Sequence, residues 1–222
     1  MFKKIYSLLH TLASKPNERS QYSGGYWQYR VRQKALDLCG DVKDKKILEV
    51  GCGEGLFLSE LASKNPQGLF WGIDNNAQRL KKAEMRCIDK GVKNINLSVA
   101  DAEKLPFSDK FFDLAICINV FFNMETIARV REALKEIKRV SKNNSRLIFD
   151  FRNSANILLK VKYKLAPYYD STVKDLPLKT YNFKEIKRLL GELGFDVISK
   201  KYIGFGFGKF SPIIVIEAEN KC

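Results

Sequence analysis

The sequence predicts an α/β protein in which helices cover both faces of a mostly parallel sheet. From residue 46 onwards, short apolar runs alternate with segments of helical periodicity, which is typical of strands joined by crossover helices. The run 112–120 is apolar almost throughout, as expected for a strand covered on both faces. The last two strands, 196–203 and 213–218, are joined by a link too short for a crossover helix, so we expect them to pair antiparallel.

Local signals set the element boundaries. Asn65-Pro66 ends the first helix after the glycine-containing loop, Gly91 ends the next, and Asn182 with Glu185 marks the start of the last. The segment 152–181 breaks the alternation, although residues 154–165 within it have a helical pattern. The remaining predicted strands are 46–50, 69–73, 95–99 and 146–151, and the predicted helices are 56–64, 77–90, 126–140 and 182–193.

Composition limits the cell compartment and the cofactor class. The five cysteines form no CxxC pair and are odd in number, which fits free thiols in a reducing, cytoplasmic setting. His10 is the single histidine, so a histidine-based zinc site is not expected and we predict no metal. The net charge of +14 is compatible with a lysine-rich surface, an acidic ligand, nucleic acid or an anionic membrane. The basic residues are spread along the chain, so the charge alone favours none of these.

We predict a single domain with an N-terminal addition. Residues 1–44 would form helices and a lid, and residues 45–222 would form the main fold, with 152–181 as a cap over the substrate. Phe2, Ile5 and Leu9 fall at helical spacing, which indicates an amphipathic helix that packs on the domain. Peripheral contact of that helix with a membrane is the alternative. No segment is long and apolar enough for a transmembrane span.

The stretch ILEVGCGEGL places three alternate glycines directly after a buried strand. In an open parallel sheet, ligands bind at the carboxyl ends of the strands, and a side chain at Gly51, Gly53 or Gly55 would stand in the way of a ligand that touches the backbone. One glycine would be enough for a tight strand-to-helix turn. Three therefore favour a nucleotide-like ligand.

Two acidic residues follow the neighbouring strands. Asp74 ends the second strand and could accept hydrogen bonds from both ribose hydroxyls, with helix capping as the alternative. Asp101 ends the third strand and could accept from an adenine amino group, with a turn or cap as the alternative. A dinucleotide fingerprint would need a glycine where Leu56 stands. A nicotinamide-dependent oxidoreductase is therefore disfavoured, and a shorter adenosyl ligand such as S-adenosylmethionine fits better.

Four motifs in this order resemble the class I S-adenosylmethionine-dependent methyltransferases. They are LEVGCGEG, GID, ADAEKLPFSDKFFDLAICINV and LKEIKRVSKNNSRLIF, and together they cover roughly residues 45–150. The likeness is greatest to the group of small-molecule and quinone-biosynthesis methyltransferases. The resemblance implies a Rossmann-like fold with a seven-stranded sheet whose last strand alone is antiparallel. It also implies S-adenosylmethionine as cofactor and a small-molecule methyl acceptor as partner.

The resemblance also implies roles for individual residues. Asp74 would hold the ribose with Asn75 beside the adenine, Asp101 and Ala102 would contact the adenine edge, and Asn119 would lie near the sulfonium. The loop and the strand before it would flank the methionine part of the cofactor through Glu49, Gly51, Cys52, Gly53 and Gly55. Many relatives have a histidine shortly after the fourth strand, whereas this chain reads NVFFNM there.

The acceptor side is less defined by the sequence. Tyr22, Tyr26 and Tyr168 are candidates for contact with the substrate or for a base, and Asn123 could orient the substrate or cap the following helix. The aromatic residues of 21–36 would either pack the following helix onto the sheet or form a lid hinged at Gly24-Gly25. In such a lid, Arg30 or Arg32 could pair with the methionine carboxylate.

Two other functions remain open at this point. A nucleic-acid methyltransferase would suit the basic charge, but no added RNA-binding domain is evident and INVFF stands where an NPPY-type motif would be. A non-catalytic S-adenosylmethionine-binding module would keep the cofactor residues and have a blocked acceptor cavity.

Overall fold

The computed structural model describes residues 25–169, 176–205 and 208–221. The helices are α1 (Tyr26–Cys39), α2 (Leu56–Lys64), α3 (Ala77–Asp89), α4 (Ile127–Val140), α5 (Ile157–Tyr169) and α6 (Phe183–Glu192). The strands are β1 (Lys46–Val50), β2 (Leu69–Asp74), β3 (Ile95–Val99), β4 (Phe112–Cys117), β5 (Ser141–Arg152), β6 (Phe195–Ile203) and β7 (Ile213–Asn220). Among the residues described, two short 3₁₀ helices, Phe121–Asn123 and Gly208–Phe210, complete the regular structure.

The seven strands form one sheet in the order β3-β2-β1-β4-β5-β7-β6. β7 pairs antiparallel with both β5 and β6, and the pairs among β1 to β5 are all parallel. The predicted fold class is therefore confirmed, including the single antiparallel strand. The order reverses between β1 and β4, and the loops that follow these two strands diverge there to leave a crevice.

Helices cover both faces of the sheet because the central strands are apolar on both sides. Val130, Leu134 and Ile137 of α4 pack with α6 on one face, where Leu48 and Ala115 also point. The opposite face carries α1, α2 and α3, with Leu114 and Ile116 of β4 beneath them. Each fully buried aliphatic side chain contributes about 1.5–3 kcal/mol. The sheet is therefore the rigid base on which the loops at its carboxyl edge are mounted.

Three elements differ from the sequence prediction by three residues or more at one end or both. β4 ends at Cys117 rather than at residue 120, because Asn119 adopts a positive φ of 59° and a 3₁₀ turn follows. β5 begins five residues early, at Ser141, directly after α4. α5 extends to Tyr169, beyond the predicted 165.

The N-terminal segment is described from residue 25 onwards, so the predicted amphipathic helix lies outside the described residues. The part that is described packs on the sheet, because Val31, Ala35 and Cys39 of α1 are buried against β5, β6 and β7. The proposed boundary at residue 44 thus falls after a helix that belongs to the core. Among the residues described, no helix is long and apolar enough to cross a membrane.

Gly55 lies where α2 approaches α3. It precedes the first residue of α2 with a φ of 72°, and an added Cβ would lie 2.9 Å from Cβ of Ala83 and 3.1 Å from its Cα. Ala83 belongs to α3, and its backbone is held by that helix. Gly91 has a similar φ of 63°, but an added Cβ would meet no atom within 4 Å.

We expect Gly55→Ala to lower the free energy of unfolding by about 1–3 kcal/mol more than Gly91→Ala, because both incur left-handed backbone strain and only the first also overpacks. Urea denaturation followed by circular dichroism measures both losses. Equal losses would contradict the packing explanation for Gly55.

Candidate functional site

A cleft of about 1180 Å³ opens at the carboxyl edge of the sheet. Its floor is made by residues that follow β1, β2, β3 and β4, and its walls come from the start of α1, from α5 and from the segment that leads to β7. The cleft thus spans the point at which the strand order reverses, which is where open parallel sheets bind ligands.

Two of the three loop glycines line this cleft, for different reasons. An added Cβ at Gly51 would come within 2.4 Å of Cγ2 of Val120. The loop after β1 can therefore pass close to the end of β4 only because Gly51 has no side chain. Among the atoms of the described residues, an added Cβ at Gly53 would meet just one within 4 Å, Oδ2 of Asp74 at 3.9 Å. Gly53 is therefore open to the cleft, as a ligand that touches the backbone requires.

Gly55 requires a correction to the sequence argument. It does not line the cleft, and its missing side chain is explained by the contact of α2 with Ala83. The three glycines were predicted to share one reason, and the structure separates them.

Asp74 joins the loop to the end of β2. Its Oδ2 accepts a hydrogen bond of 2.9 Å from the N–H of Gly53, and its Oδ1 accepts one of 2.9 Å from the N–H of Asn76. The residue is 6% exposed and lines the cleft. A carboxylate has about four lone-pair sites, so each oxygen can accept a further hydrogen bond from a ligand. Asn76 caps α3, so Asp74 is not the helix cap that the alternative reading assigned to it.

Glu49 and Arg32 are both buried in the cleft wall, and each is 3% exposed. Burial raises the pKa of Glu49 to about 8, while Arg32 opposes the shift and Asp74 adds to it. Oε2 of Glu49 has no hydrogen-bond partner within the described part of the chain. Arg30 is exposed and does not line the cleft, so of the two arginines considered from the sequence, Arg32 is the one placed at the site.

The other predicted cofactor residues also line the cleft. Asn75 follows β2, Asp101 and Ala102 follow β3, and Cys52 lies between the two glycines of the loop. Oδ1 of Asp101 accepts a hydrogen bond of 2.9 Å from the N–H of Glu103, which orients the exposed carboxylate. Burial raises the pKa of Cys52 well above its ordinary value, so this thiol stays protonated.

Asn119 and Asn123 line the cleft at the end of β4. The backbone N–H of Asn119 donates to Oδ1 of Asp150 at 2.5 Å. Asn123 belongs to the 3₁₀ turn, and its buried Oδ1 has no partner among the residues described. Thr126 caps α4 through a bond from the N–H of Arg129. Asn123 is therefore not the cap of that helix and remains available to a ligand.

Sequence reasoning missed the side chains that surround Asn119. Arg152 donates to Oδ1 of Asn119 at 2.9 Å, to the phenol oxygen of Tyr163 at 3.2 Å and to Oδ2 of Asp150. Arg152 and Tyr163 both line the cleft. The sequence did contain an indication of this cluster, because FDFR places Asp150 and Arg152 two residues apart in a strand predicted to be buried.

The tyrosines predicted for the acceptor side are not brought together. Tyr26 lines the cleft at the start of α1, and its ring lies 5.0 Å from that of Trp27. Tyr168 is 78% exposed and does not line the cleft. Tyr22 and Gly24 lie outside the described residues. Phe205 faces Trp27 at 5.4 Å, so aromatic side chains from two distant segments meet at the opening.

These features fit an adenosyl ligand with a charged amino-acid end. The open backbone at Gly53, the acceptor-only carboxylate of Asp74 and the unpartnered Oε2 of Glu49 each offer a contact that such a ligand can use. Among the described residues there is no group of three side chains that could hold a metal ion. The contacts offered by Gly53, Asp74 and Glu49 suit S-adenosylmethionine.

Comparison with known proteins agrees with this fit. Residues 41–194 match the model of a family described as a methyltransferase domain. The ubiquinone/menaquinone biosynthesis C-methyltransferase UbiE of Pseudomonas paraeruginosa is 29% identical over 216 residues, which cover 89% of this chain and 83% of that protein. UbiE of Pseudomonas putida is 30% identical over 168 residues, covering 72% of this chain and 63% of that protein.

Two solved structures show the same fold at low identity. Magnesium protoporphyrin IX methyltransferase from Synechocystis, solved with bound S-adenosylhomocysteine, aligns with a TM-score of 0.69 and 17% identity, covering 88% of this chain and 85% of that one. A S-adenosylmethionine-dependent methyltransferase from Methanosarcina mazei aligns with a TM-score of 0.67 and 24% identity, covering 84% and 97%. The chain belongs to the methyltransferase-domain family and is a class I S-adenosylmethionine-dependent methyltransferase.

Proposed function

We propose that the acceptor is a flat, largely apolar ring compound that carries an oxygen, and that a ring carbon receives the methyl group. The observation that carries this proposal is the lining of the cleft beyond the cofactor loop. That part is mostly apolar and aromatic and includes Trp27, Phe122, Leu159, Leu178 and Phe205. Such walls favour a ring that stacks and is desolvated on both faces.

The relatives support a carbon acceptor. The matched Pseudomonas proteins are named as C-methyltransferases of ubiquinone and menaquinone biosynthesis. The cleft also has room for a second molecule beside an adenosyl ligand, which a non-catalytic binding module would not need.

We assign the cofactor contacts as the sequence resemblance implies, and the geometry supports them. Asp74 would hold the ribose, with Asn75, Asp101 and Ala102 around the adenine. Glu49 and the bare loop would hold the methionine part, and Arg32 would add a positive charge near its carboxylate. When bound, S-adenosylmethionine supplies a methyl group on a positively charged sulfur, which is a strongly activated leaving group.

The protein's contribution is then alignment and exclusion of water. The loop from β1 holds one reactant against the sheet, and the residues after β4 face the other. Trp27 and Phe205 narrow the opening between them. The apolar walls leave the acceptor few polar contacts, so its orientation depends on the small number of polar side chains that reach it.

The acceptor class is tested with radiolabelled S-adenosylmethionine. We expect transfer of label to hydroxylated one- and two-ring aromatic compounds, recovered as carbon-methylated products by mass spectrometry. A parallel reaction with total RNA is the control for the basic charge of the chain. Label in RNA that ribonuclease releases, with none in the ring compounds, would contradict the proposal.

We expect Asp74→Ala to weaken the binding of S-adenosylhomocysteine at least about tenfold, because the variant loses acceptors for the ribose and the anchor of the Gly53 N–H. Isothermal titration calorimetry measures the dissociation constant. Asp89→Ala is the matched control, since Asp89 is exposed at the end of α3 and does not line the cleft. Equal affinities in the two variants would contradict the ribose assignment.

The raised pKa of Glu49 predicts that cofactor binding releases protons. With a pKa of about 8, the free protein holds Glu49 mostly protonated at neutral pH. The ammonium group of S-adenosylhomocysteine favours the ionised form, so binding at pH 7 should release up to about one proton and should strengthen as the pH rises towards the pKa.

Calorimetry at pH 7 in two buffers of different ionisation enthalpy counts the protons released. Glu49→Gln, which has nearly the same shape and cannot ionise, should release none. If the wild-type protein and Glu49→Gln give the same heat in both buffers, Glu49 does not lie beside the cationic part of the ligand.

A further inference from the structure

A cluster of buried polar side chains surrounds Asn119 after the end of β4, and its members Asp150, Arg152 and Tyr163 are not used by the cofactor contacts assigned above. Asp150 and Arg152 of β5 are 1% and 3% exposed, and they form an ion pair. Arg152 also binds Asn119 and Tyr163, and its guanidinium carbon lies 4.4 Å from the centre of the Phe122 ring. Strand β5, the residue two positions after β4, helix α5 and a 3₁₀ turn thus meet at one arginine.

Some hydrogen-bond donors in this cluster have no acceptor within it. Both oxygens of Asp150 accept a bond, and so do Oδ1 of Asn119 and the phenol oxygen of Tyr163. Arginine has five N–H groups, and three of those on Arg152 make these contacts. Two N–H groups of Arg152 and the O–H of Tyr163 have no acceptor among the described residues.

The chemistry of the cluster keeps these donors in place. Asp150 compensates the positive charge of Arg152, so the buried pair carries no net charge. The ring of Phe122 lies against the guanidinium. Burial raises the pKa of Tyr163, although Arg152 opposes the shift. The phenol therefore keeps its proton at neutral pH and can donate it in a hydrogen bond.

We propose that Arg152 and Tyr163 bind the oxygen of the methyl acceptor, in the form of an ionised aromatic hydroxyl. Both side chains line the cleft, and a site that offers unpaired hydrogens selects a group that can only accept. The proposal rests on the proposed function, because it takes the acceptor to be an oxygenated ring. It adds a position for that oxygen, at the end of β4 beside Asn119, and a specificity for oxyanions over neutral rings.

A hydrogen bond to a charged group is worth enough to measure. Losing one changes a dissociation constant by about tenfold or more. A purely structural cluster, which only ties β4 to β5 and α5, would change stability and leave ligand selectivity unaltered. Ligand selectivity is therefore the quantity to measure.

The probe is 4-nitrophenolate, the ionised form of 4-nitrophenol, which absorbs visible light. Nitrobenzene is the matched compound, which keeps the ring and the nitro group and lacks the phenol oxygen. Both are titrated into the full chain saturated with S-adenosylhomocysteine, at a mildly alkaline pH at which most of the probe is ionised. We expect the wild-type protein to prefer 4-nitrophenolate at least about tenfold. No preference would overturn the inference.

Tyr163→Phe removes one donor and keeps the ion pair, so the variant should fold. We expect it to bind 4-nitrophenolate about tenfold more weakly and nitrobenzene equally well. Tyr202→Phe is the control, because Tyr202 lies on β6 and does not line the cleft. Equal losses in the two variants, or none in Tyr163→Phe, would overturn the inference.

Arg152→Met alone would leave the charge of Asp150 buried without a partner, so the double variant Asp150→Asn/Arg152→Met is used. It should lose at least about tenfold in 4-nitrophenolate affinity. Its affinity for S-adenosylhomocysteine, measured by calorimetry, should match that of the wild-type protein. If the cofactor affinity falls instead, the cluster faces the methionine carboxylate and the inference is wrong.

The two proposals fail in distinguishable ways. A wild-type protein that binds S-adenosylhomocysteine without preferring 4-nitrophenolate contradicts this inference and leaves the cofactor site standing. A wild-type protein that does not bind S-adenosylhomocysteine contradicts the proposed function itself.

Discussion

The attachment of the loop after β1 to the end of β2 is the constraint on which the rest of the site depends. The backbone N–H groups of Gly51 and Cys52 both donate to the carbonyl of Ile73 at 2.8 Å, and the N–H of Gly53 donates to Asp74. These bonds turn the chain sharply at the edge of the sheet. The turn is possible because Gly51 carries no side chain next to Val120. The same bonds orient Asp74, so the shape of the loop and the position of the carboxylate are fixed together.

Much of the fold could be predicted because the elements have strong local signals. Helices α2 and α3 and strands β1 and β3 fall within one residue of the predicted limits, since apolar periodicity and capping residues mark both of their ends. The end of β4 was missed because it depends on a positive φ at Asn119, a residue that tolerates this conformation without requiring it. β5 begins early because Ser141 pairs with Phe112 of β4. Such pairing between distant segments cannot be predicted from the local sequence.

The site was predictable where its residues lie next to one another in the chain or at the end of a recognisable strand. Gly53 and Asp74 are of this kind. The cluster of Arg152 and Tyr163 is not, because its bonds join residues up to 33 positions apart. Gly55 shows the opposite error, since a local pattern suggested a ligand and a contact with a distant helix supplies the reason. The spacing of residues along the chain thus predicts the backbone conformation of a site better than it predicts which side chains from distant segments come into contact there.

Glu49 lines the cleft and Asp150 lies next to Arg152, which also lines it, and the protein treats the charges of these two buried carboxylates differently. Asp150 accepts bonds on both oxygens and is paired with Arg152, whereas Glu49 leaves one oxygen without a partner and has its pKa raised by burial. Burying either carboxylate costs stability unless its bonds are completed. The ion pair between Asp150 and Arg152 keeps the remaining N–H groups of the arginine in fixed positions, where the oxygen of a ligand can accept from them. An incomplete carboxyl instead favours a ligand that brings a positive charge. On the proposed assignments, Glu49 would therefore favour the cationic methyl donor, and Arg152, held by Asp150, would favour an oxyanionic acceptor.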